Sequence, residues 1–463
     1  MKNYDVCYPG QDVSQSLIPQ FFDKAENWVP IAKYPRREVW LSKMFTIKQE
    51  LDEFIKDHPT VPVYDASQGD GGMSLGGIPK QEIAEALLRY LPEERATKYG
   101  EPNGSLILRK AIFENYYRFD LDTGLTPENI IIGDGGRDIL QKWYQALSQD
   151  CGGHGDFILV SAAPWGSYPE GSYLNGFNIV CAPGNPDNAF KITPEGIDLS
   201  IEYVQRHARR IVGIIITSPD NPTGNYLNDK EIVNLIEHAV ARGINYIFVD
   251  LIYQAVTDPE VGCYDVNRIF KSLSPEGKKK VVFMDGLTKM VGASNLRNAH
   301  LVCGSIEFAK KLKGIATHTV LPNVAGEAVA YEVYSQKNPL IHPWVKRIVE
   351  PTALSRAIVK EKLKAFNFKF ICDQGYYAFI NIYPWLGKRI PQGKEFFDTH
   401  GRKIEKIENV DILKSYLSAR CGLAIIPGSV FRQPHFIRFS YANAPEYTLG
   451  AITRLEQSLR ELE

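Results

Sequence analysis

Asp285-Gly-Leu-Thr-Lys-Met-Val-Gly-Ala-Ser-Asn-Leu-Arg297 continues the apolar run Lys280-Val-Val-Phe-Met-Asp285, so a lysine and an arginine follow just after a short β-branched stretch. Six further runs of that kind occur: 129–133, 157–161, 177–181, 211–217, 245–250 and 300–303. Each is too short and too uniformly apolar for a half-exposed strand, and helical stretches separate them. Seven such runs alternating with helices predict an α/β fold with a mostly parallel seven-stranded sheet buried on both faces. Several runs end in a glycine or a polar residue, as expected where a ligand binds beyond the carboxyl ends of the strands.

Two of those ends open onto distinctive sequences. Ile211–Thr217 is followed by Ser218-Pro-Asp-Asn-Pro-Thr-Gly224, and 245–250 runs into Asp250-Leu-Ile-Tyr253. Together with Lys289 and Arg297 these runs supply the parts of a pyridoxal phosphate site. Such a site needs an amine able to lose its proton, a carboxylate that keeps a pyridine nitrogen protonated, and a fixed cation for a phosphate. From about residue 60 to residue 445 the chain resembles the class I/II, fold type I pyridoxal phosphate enzymes, the aspartate aminotransferase family.

The resemblance assigns roles by position. Lys289 and Gly292 with Arg297 match the family's K-x-x-G-x-x-x-x-R pattern. Lys289 would form the Schiff base with the cofactor and then move the substrate's Cα proton, since desolvation lowers an amine's pKa. Arg297 would hold the phosphate through a two-pronged guanidinium. Gly135, Gly136 and Arg137 in Gly133-Asp-Gly-Gly-Arg137 match the phosphate loop, where small residues let backbone N–H groups and a helix N-terminus approach an anion. Asp250 would face the pyridine nitrogen, with Tyr253 and Asn221 at the 3′ oxygen. Trp165 in Ala163-Pro-Trp165 would stack on the ring. Arg438 in Phe436-Ile-Arg-Phe-Ser440 would clamp the substrate α-carboxylate, with Asn221 and Gly69 beside the substrate. Tyr99 matches a tyrosine that reaches the phosphate of a neighbouring subunit, which implies a homodimer with shared active sites.

Three features depart from the family pattern. Gly286 replaces a serine that commonly touches the phosphate, and Arg137 is a candidate to compensate. Ala299 stands where a glycine usually follows the phosphate arginine by two. The segment before residue 60 is also longer than usual. Its helix at 46–56 places Ile47, Leu51, Phe54 and Ile55 on one face, which suits an arm packed on its own or a partner subunit, or a lid over the cleft.

At 463 residues the chain suits two domains. The expected division is an N-terminal arm at 1–60, a large cofactor-binding domain at 61–330 and a small α+β domain at 331–463. The last of these carries a long charged helix at 344–367 and strands at 376–382 and 436–440, and in the resembled family it packs with the N-terminal segment. Composition is 44% hydrophobic and 23% charged, and 53 basic against 54 acidic residues leave a net charge of -1. That balance gives no reason to expect nucleic-acid or membrane binding. No apolar run reaches bilayer length and the first residues lack a signal-peptide core, so a cytoplasmic protein is expected. The seven cysteines form no C-x-x-C pair and read as reduced. The histidines lack metal-ligand spacing, and no metal is expected.

The resulting expectation is an aminotransferase that moves an amino group from an α-amino acid to a 2-oxo acid. The same residue set is compatible with elimination or cyclisation of the aminocyclopropane-carboxylate synthase kind, decarboxylation, or oxidation, because the outcome depends on which Cα bond is held perpendicular to the ring. A regulator that senses pyridoxal phosphate is a further alternative, although the prolines around Lys33-Tyr-Pro-Arg-Arg37 interrupt any recognition helix. The substrate side chain is not identified by spacing. Asp70, Tyr376 and Tyr377 lie in segments that can reach it.

Overall fold

The computed structural model describes residues 47–463 apart from 72–73, 93–96, 152–154 and 399–400. The Lys33–Arg37 run and most of the N-terminal segment lie outside the described residues. The seven expected strands are β1 (Ile130–Gly133), β2 (Phe157–Val160), β3 (Asn178–Cys181), β4 (Ile211–Thr217), β5 (Tyr246–Asp250), β6 (Val281–Asp285) and β7 (Ala299–Cys303). They form one sheet in the order β1-β7-β6-β5-β4-β2-β3. Only β7 runs against its two neighbours. The carboxyl ends of β1, β4, β5 and β6 therefore share one edge. The register sets Thr217 beside Asp250 and Asp250 beside Met284, which brings three polar-ended strands into line.

Nearly every residue of these strands is buried, because the sheet has an apolar cluster on each face. One contains Ile132, Leu159, Ile214, Val249 and Phe283, the other Ile131, Ile158, Ile215, Phe248 and Met284. Successive side chains point to opposite faces, so the continuous apolar runs need two apolar layers.

A second sheet is antiparallel: β8 (Phe370–Ile371), β9 (Tyr377–Asn381), β10 (Ile426–Pro427) and β11 (Phe436–Ser440), in the order β10-β11-β9-β8. It has its own core, including Val359, Ile380, Leu413, Ile437 and Leu455. The long helix Pro343–Ala365 leads into it, and Arg356 on that helix is 1% exposed. The Arg356 guanidinium donates to Asp258 Oδ1 at 2.7 Å, Gln374 Oε1 at 2.5 Å and Val256 O at 2.6 Å. One buried cation thus ties the segment after Tyr253 to the turn before β9.

The helix α1 (Ile47–Asp57) packs in the seam between the sheets. Ile47 and Leu51 join Ala162, Ala163 and Phe190 on one side and Phe379, Ala424, Ile426 and Phe436 on the other. Glu50 accepts from Lys414 Nζ at 2.9 Å and Ser415 Oγ at 2.7 Å. Ile55 departs from the expected apolar face, being 40% exposed. At 100° per residue it stands roughly 70° round from the mean direction of the other three, so it falls at the edge of the stripe. Among the described residues no helix is long and apolar enough to cross a membrane. Cys303, Cys372 and Cys421 are buried free thiols, and Cys263 is half-buried and also free.

Candidate functional site

A cavity of ≈ 440 Å³ opens at the carboxyl edge of the large sheet. Its wall includes Gly69, Gly136, Arg137, Trp165, Asn221, Asp250, Tyr253, Lys289, Arg297 and Arg438. Gly135 adjoins it, because a β-carbon there would lie 2.3 Å from Arg297 Nη2. Tyr99 does not take part within its own chain and is 96% exposed.

Lys289 sits on a single helical turn, Leu287–Met290, which follows β6 after Gly286. Its Nζ donates to Gly69 O at 2.5 Å and lies 5.8 Å from the centre of the Tyr253 ring. Burial brings its pKa down to about 8, with Asp70 opposing that shift and Arg438, Arg137 and Arg297 adding to it. A usable fraction of free amine is therefore present near neutral pH.

Asp250 is 3% exposed at the end of β5. Its Oδ1 accepts from Ile252 N at 3.0 Å and its Oδ2 from Tyr168 Oη at 2.8 Å. Burial raises its pKa to about 6 against the lowering effect of these donors and of Lys289. A carboxylate held this way gains from a cation placed opposite. Tyr168 was not singled out by sequence reasoning. It lies one helical turn after Trp165, whose carbonyl accepts from Tyr168 N at 2.9 Å, and its hydroxyl also pairs with Thr217 at 2.8 Å.

Around Arg438 two guanidinium hydrogen bonds fix the side chain and leave donors over. Its Nη1 donates to Asn221 Oδ1 and its Nη2 to Ser67 O, both at 2.7 Å, and its Nε is buried without a partner. The guanidinium lies between the rings of Tyr377 at 4.3 Å and Phe431 at 5.1 Å. Asn221 Nδ2 donates in turn to Tyr253 Oη at 3.3 Å. Asn221 keeps this position because Thr223 N and Oγ1 donate to Asp220 inside the same turn, at 3.1 and 2.5 Å.

At the other end Arg137, in the first turn of the helix Gly136–Cys151, and Arg297 both line the cavity. Arg297 adopts the left-handed backbone region at φ 49 and donates to Ser294 O at 2.9 Å. The Arg137 guanidinium stands 5.5 Å from the Trp165 ring centre, and burial together with Arg297 lowers its pKa. Gly135, at φ 86, meets both a backbone and a space requirement here.

Two of the departures from the family pattern touch each other. A β-carbon on Gly286 would lie 2.6 Å from Ala299 Cα, 2.7 Å from Asn298 O and 2.8 Å from Ala299 Cβ. The β6–β7 pair, with Asp285 opposite His300, is drawn close here and leaves no room for a serine.

The model of the aminotransferase class I and II family matches residues 71–454. The chain belongs to this family. It is a pyridoxal phosphate-dependent transferase with the fold type I architecture. An aspartate aminotransferase of Geobacillus stearothermophilus is 27% identical over 383 residues, covering 81% of this chain and 87% of that protein. A probable aspartate/prephenate aminotransferase of Aquifex aeolicus is 25% identical over 386 residues, covering 82% and 88%. Among solved structures, the aspartate aminotransferase from Rhizobium meliloti superposes with a TM-score of 0.74 at 20% identity, covering 93% of this chain and 98% of that one. The Thermus thermophilus aspartate aminotransferase with maleate gives 0.71 at 21%, covering 90% and 97%. At those identities the structures speak for the fold of this aminotransferase.

Proposed function

We propose that this aminotransferase transfers the amino group of an α-amino acid to a 2-oxo acid, with Lys289 as both the attachment point of pyridoxal phosphate and the proton carrier. The observation that supports it most is the buried Lys289 amine, its pKa reduced to about 8, in one cavity with Asp250 and Arg438. The residues fit the cofactor. Gly135 leaves a cradle that a β-carbon would fill, two guanidiniums flank it, and Arg438 keeps an unpartnered buried N–H.

When bound, pyridoxal phosphate supplies an electron sink for the pair released as the substrate Cα–H bond breaks. Arg137, Arg297, Gly135 and Gly136 hold the phosphate through two guanidiniums and the helix N-terminus. Asp250 keeps the pyridine nitrogen protonated, and Tyr168 holds Asp250 in place. Trp165 covers the ring face. Tyr253 and Asn221 donate to the 3′ oxygen. Arg438 binds the substrate α-carboxylate and so sets which Cα bond stands perpendicular to the ring. Lys289 Nζ, free as an amine, would take the proton from the substrate Cα and hold it.

The protein acts as a cytoplasmic homodimer in this reading. Tyr99, 96% exposed in the single chain, is free to reach a partner's phosphate site. Light scattering that finds a fully active monomer would sink this part. Aspartate, which the relatives' names mention, is one donor to try among others.

The deciding experiment is a visible spectrum of the purified protein with pyridoxal phosphate before and after each of a panel of amino acids, with products identified by mass spectrometry. Loss of the visible band with formation of the matching 2-oxo acid is the expected result. Products lacking a carboxylate or a side-chain group would replace transamination with decarboxylation or elimination.

A further inference from the structure

Four residues close a circuit across the cavity. Arg438 donates to Asn221, Asn221 donates to Tyr253, the Tyr253 and Tyr377 hydroxyls lie 3.0 Å apart, and the Tyr377 ring lies 4.3 Å from the Arg438 guanidinium. Tyr377 begins β9 and is 2% exposed. Its hydroxyl has space only because residue 69 is glycine: a β-carbon there would stand 1.9 Å from Tyr377 Oη. The Gly69 carbonyl is also the acceptor for Lys289 Nζ. Tyr377 therefore adjoins the groups assigned to the 3′ oxygen, the carboxylate and the reacting amine.

The Tyr253 oxygen has two lone pairs and one proton. The Asn221 N–H occupies one lone pair. If Tyr377 donates to the other, the Tyr253 proton is left with one direction, into the cavity. A phenol whose oxygen accepts hydrogen bonds becomes a different donor from a free one, because chains of hydrogen bonds polarise one another. The Tyr377 ring meanwhile gives Arg438 a flat surface that fixes the plane of its fork.

We propose that Tyr377 is a positioning residue: its hydroxyl donates to Tyr253 and aims the Tyr253 proton at the cofactor's 3′ oxygen, while its ring sets the plane of Arg438 for the substrate carboxylate. This rests on the cofactor reading given above. The two functions separate by substitution. Tyr377→Phe keeps the ring and removes the donor, whereas Tyr377→Leu removes both.

The test is a pH titration of the visible band of protein loaded with pyridoxal phosphate, in wild type and in Tyr377→Phe. Without the donor, Tyr253 gives a weaker hydrogen bond to the 3′ oxygen, the deprotonated form of the chromophore is less favoured, and the midpoint should rise by about half a pH unit. In a Tyr253→Phe background the same substitution should move nothing further, since the effect passes through Tyr253. Steady-state kinetics should show an amino-acid KM within about two-fold of wild type for Tyr377→Phe and roughly ten-fold higher for Tyr377→Leu. Coincident midpoints in a wild type and a Tyr377→Phe protein that both bind the cofactor would overturn the inference alone. A shift that persists unchanged in the Tyr253→Phe background would overturn it too. A wild-type protein that develops no visible band with pyridoxal phosphate would overturn the cofactor reading and this inference with it.

Discussion

The two ends of the cavity solve opposite problems with the same side chain. Arg438 is already placed: Asn221 and the Ser67 carbonyl hold its fork, and two aromatic rings enclose it. Arg137 and Arg297 instead stand near each other, and burial, with their mutual repulsion added, weakens the hold of Arg137 on its proton. The first end is preorganised and needs little rearrangement to accept a carboxylate. The second stores unfavourable charge that a dianion would relieve. The comparison teaches that the two ends, proposed above for the cofactor phosphate and the substrate carboxylate, are prepared differently before a ligand arrives, although both are built on arginine.

The largest effect should come from the preorganised end. Arg438→Lys loses the fork and the stacked plane together, and kcat/KM should fall roughly 10²–10³-fold with cofactor affinity unchanged. A fall in cofactor affinity instead would remove the distinction between the ends. Next, Gly286→Ser forces a side chain into the contact with Ala299 and should cost about 1–3 kcal/mol in thermal or denaturant unfolding. The double variant with Ala299→Gly should recover only part of this, because the contacts to Asn298 O and the residue 299 Cα remain; complete recovery would mean that the Ala299 methyl alone excludes the serine. Arg137→Ala should weaken cofactor binding about ten-fold, partly offset by relief of its repulsion with Arg297. An unchanged dissociation constant would show that Arg297 and the helix N-terminus suffice.

The smallest effect lies between the ends. In the proposed role the neutral amine of Lys289 is the form that reacts, and it predominates above a pKa of about 8. The rate of cofactor incorporation into the apo protein should rise with pH and level off past that value, with roughly a tenth of the amine free at pH 7. Stopped-flow absorbance would show it. A rate still climbing steeply at pH 10 would place Lys289 in the ordinary lysine range.

What was legible in the sequence was mostly local. Continuous β-branched runs marked the strands of the large sheet to within a residue, since double-sided burial leaves that pattern no ambiguity of face. Asp250, Asn221 and Lys289 stood out because each ends such a run or follows its end by four residues. Contacts between distant segments were not legible. Nothing near Tyr377 announces that its hydroxyl meets Tyr253 across 124 positions of chain, or that Gly69 makes room for it. Tyr168 was hidden beside the more conspicuous Trp165. Gly286 and Ala299 were seen as separate oddities, and only strand pairing reveals them as one packing change. The exposed edge of α1 at Ile55 escaped for a simpler reason, that an apolar residue at the border of a stripe is not distinguished by identity.

Helix α1 has a consequence for how the molecule can be cut. The family match begins at residue 71, yet Ile47, Leu51 and Phe54 before it are each at most 5% exposed. Phe54 fits against Gly422, where a β-carbon would lie 2.6 Å from its ring. A gene fragment trimmed to the matched region would leave Ala163, Phe379, Ala424 and Phe436 facing water on both sides of a cleft whose two walls must stay in register. The stretch that carries the family match is thus smaller than the unit that closes this core.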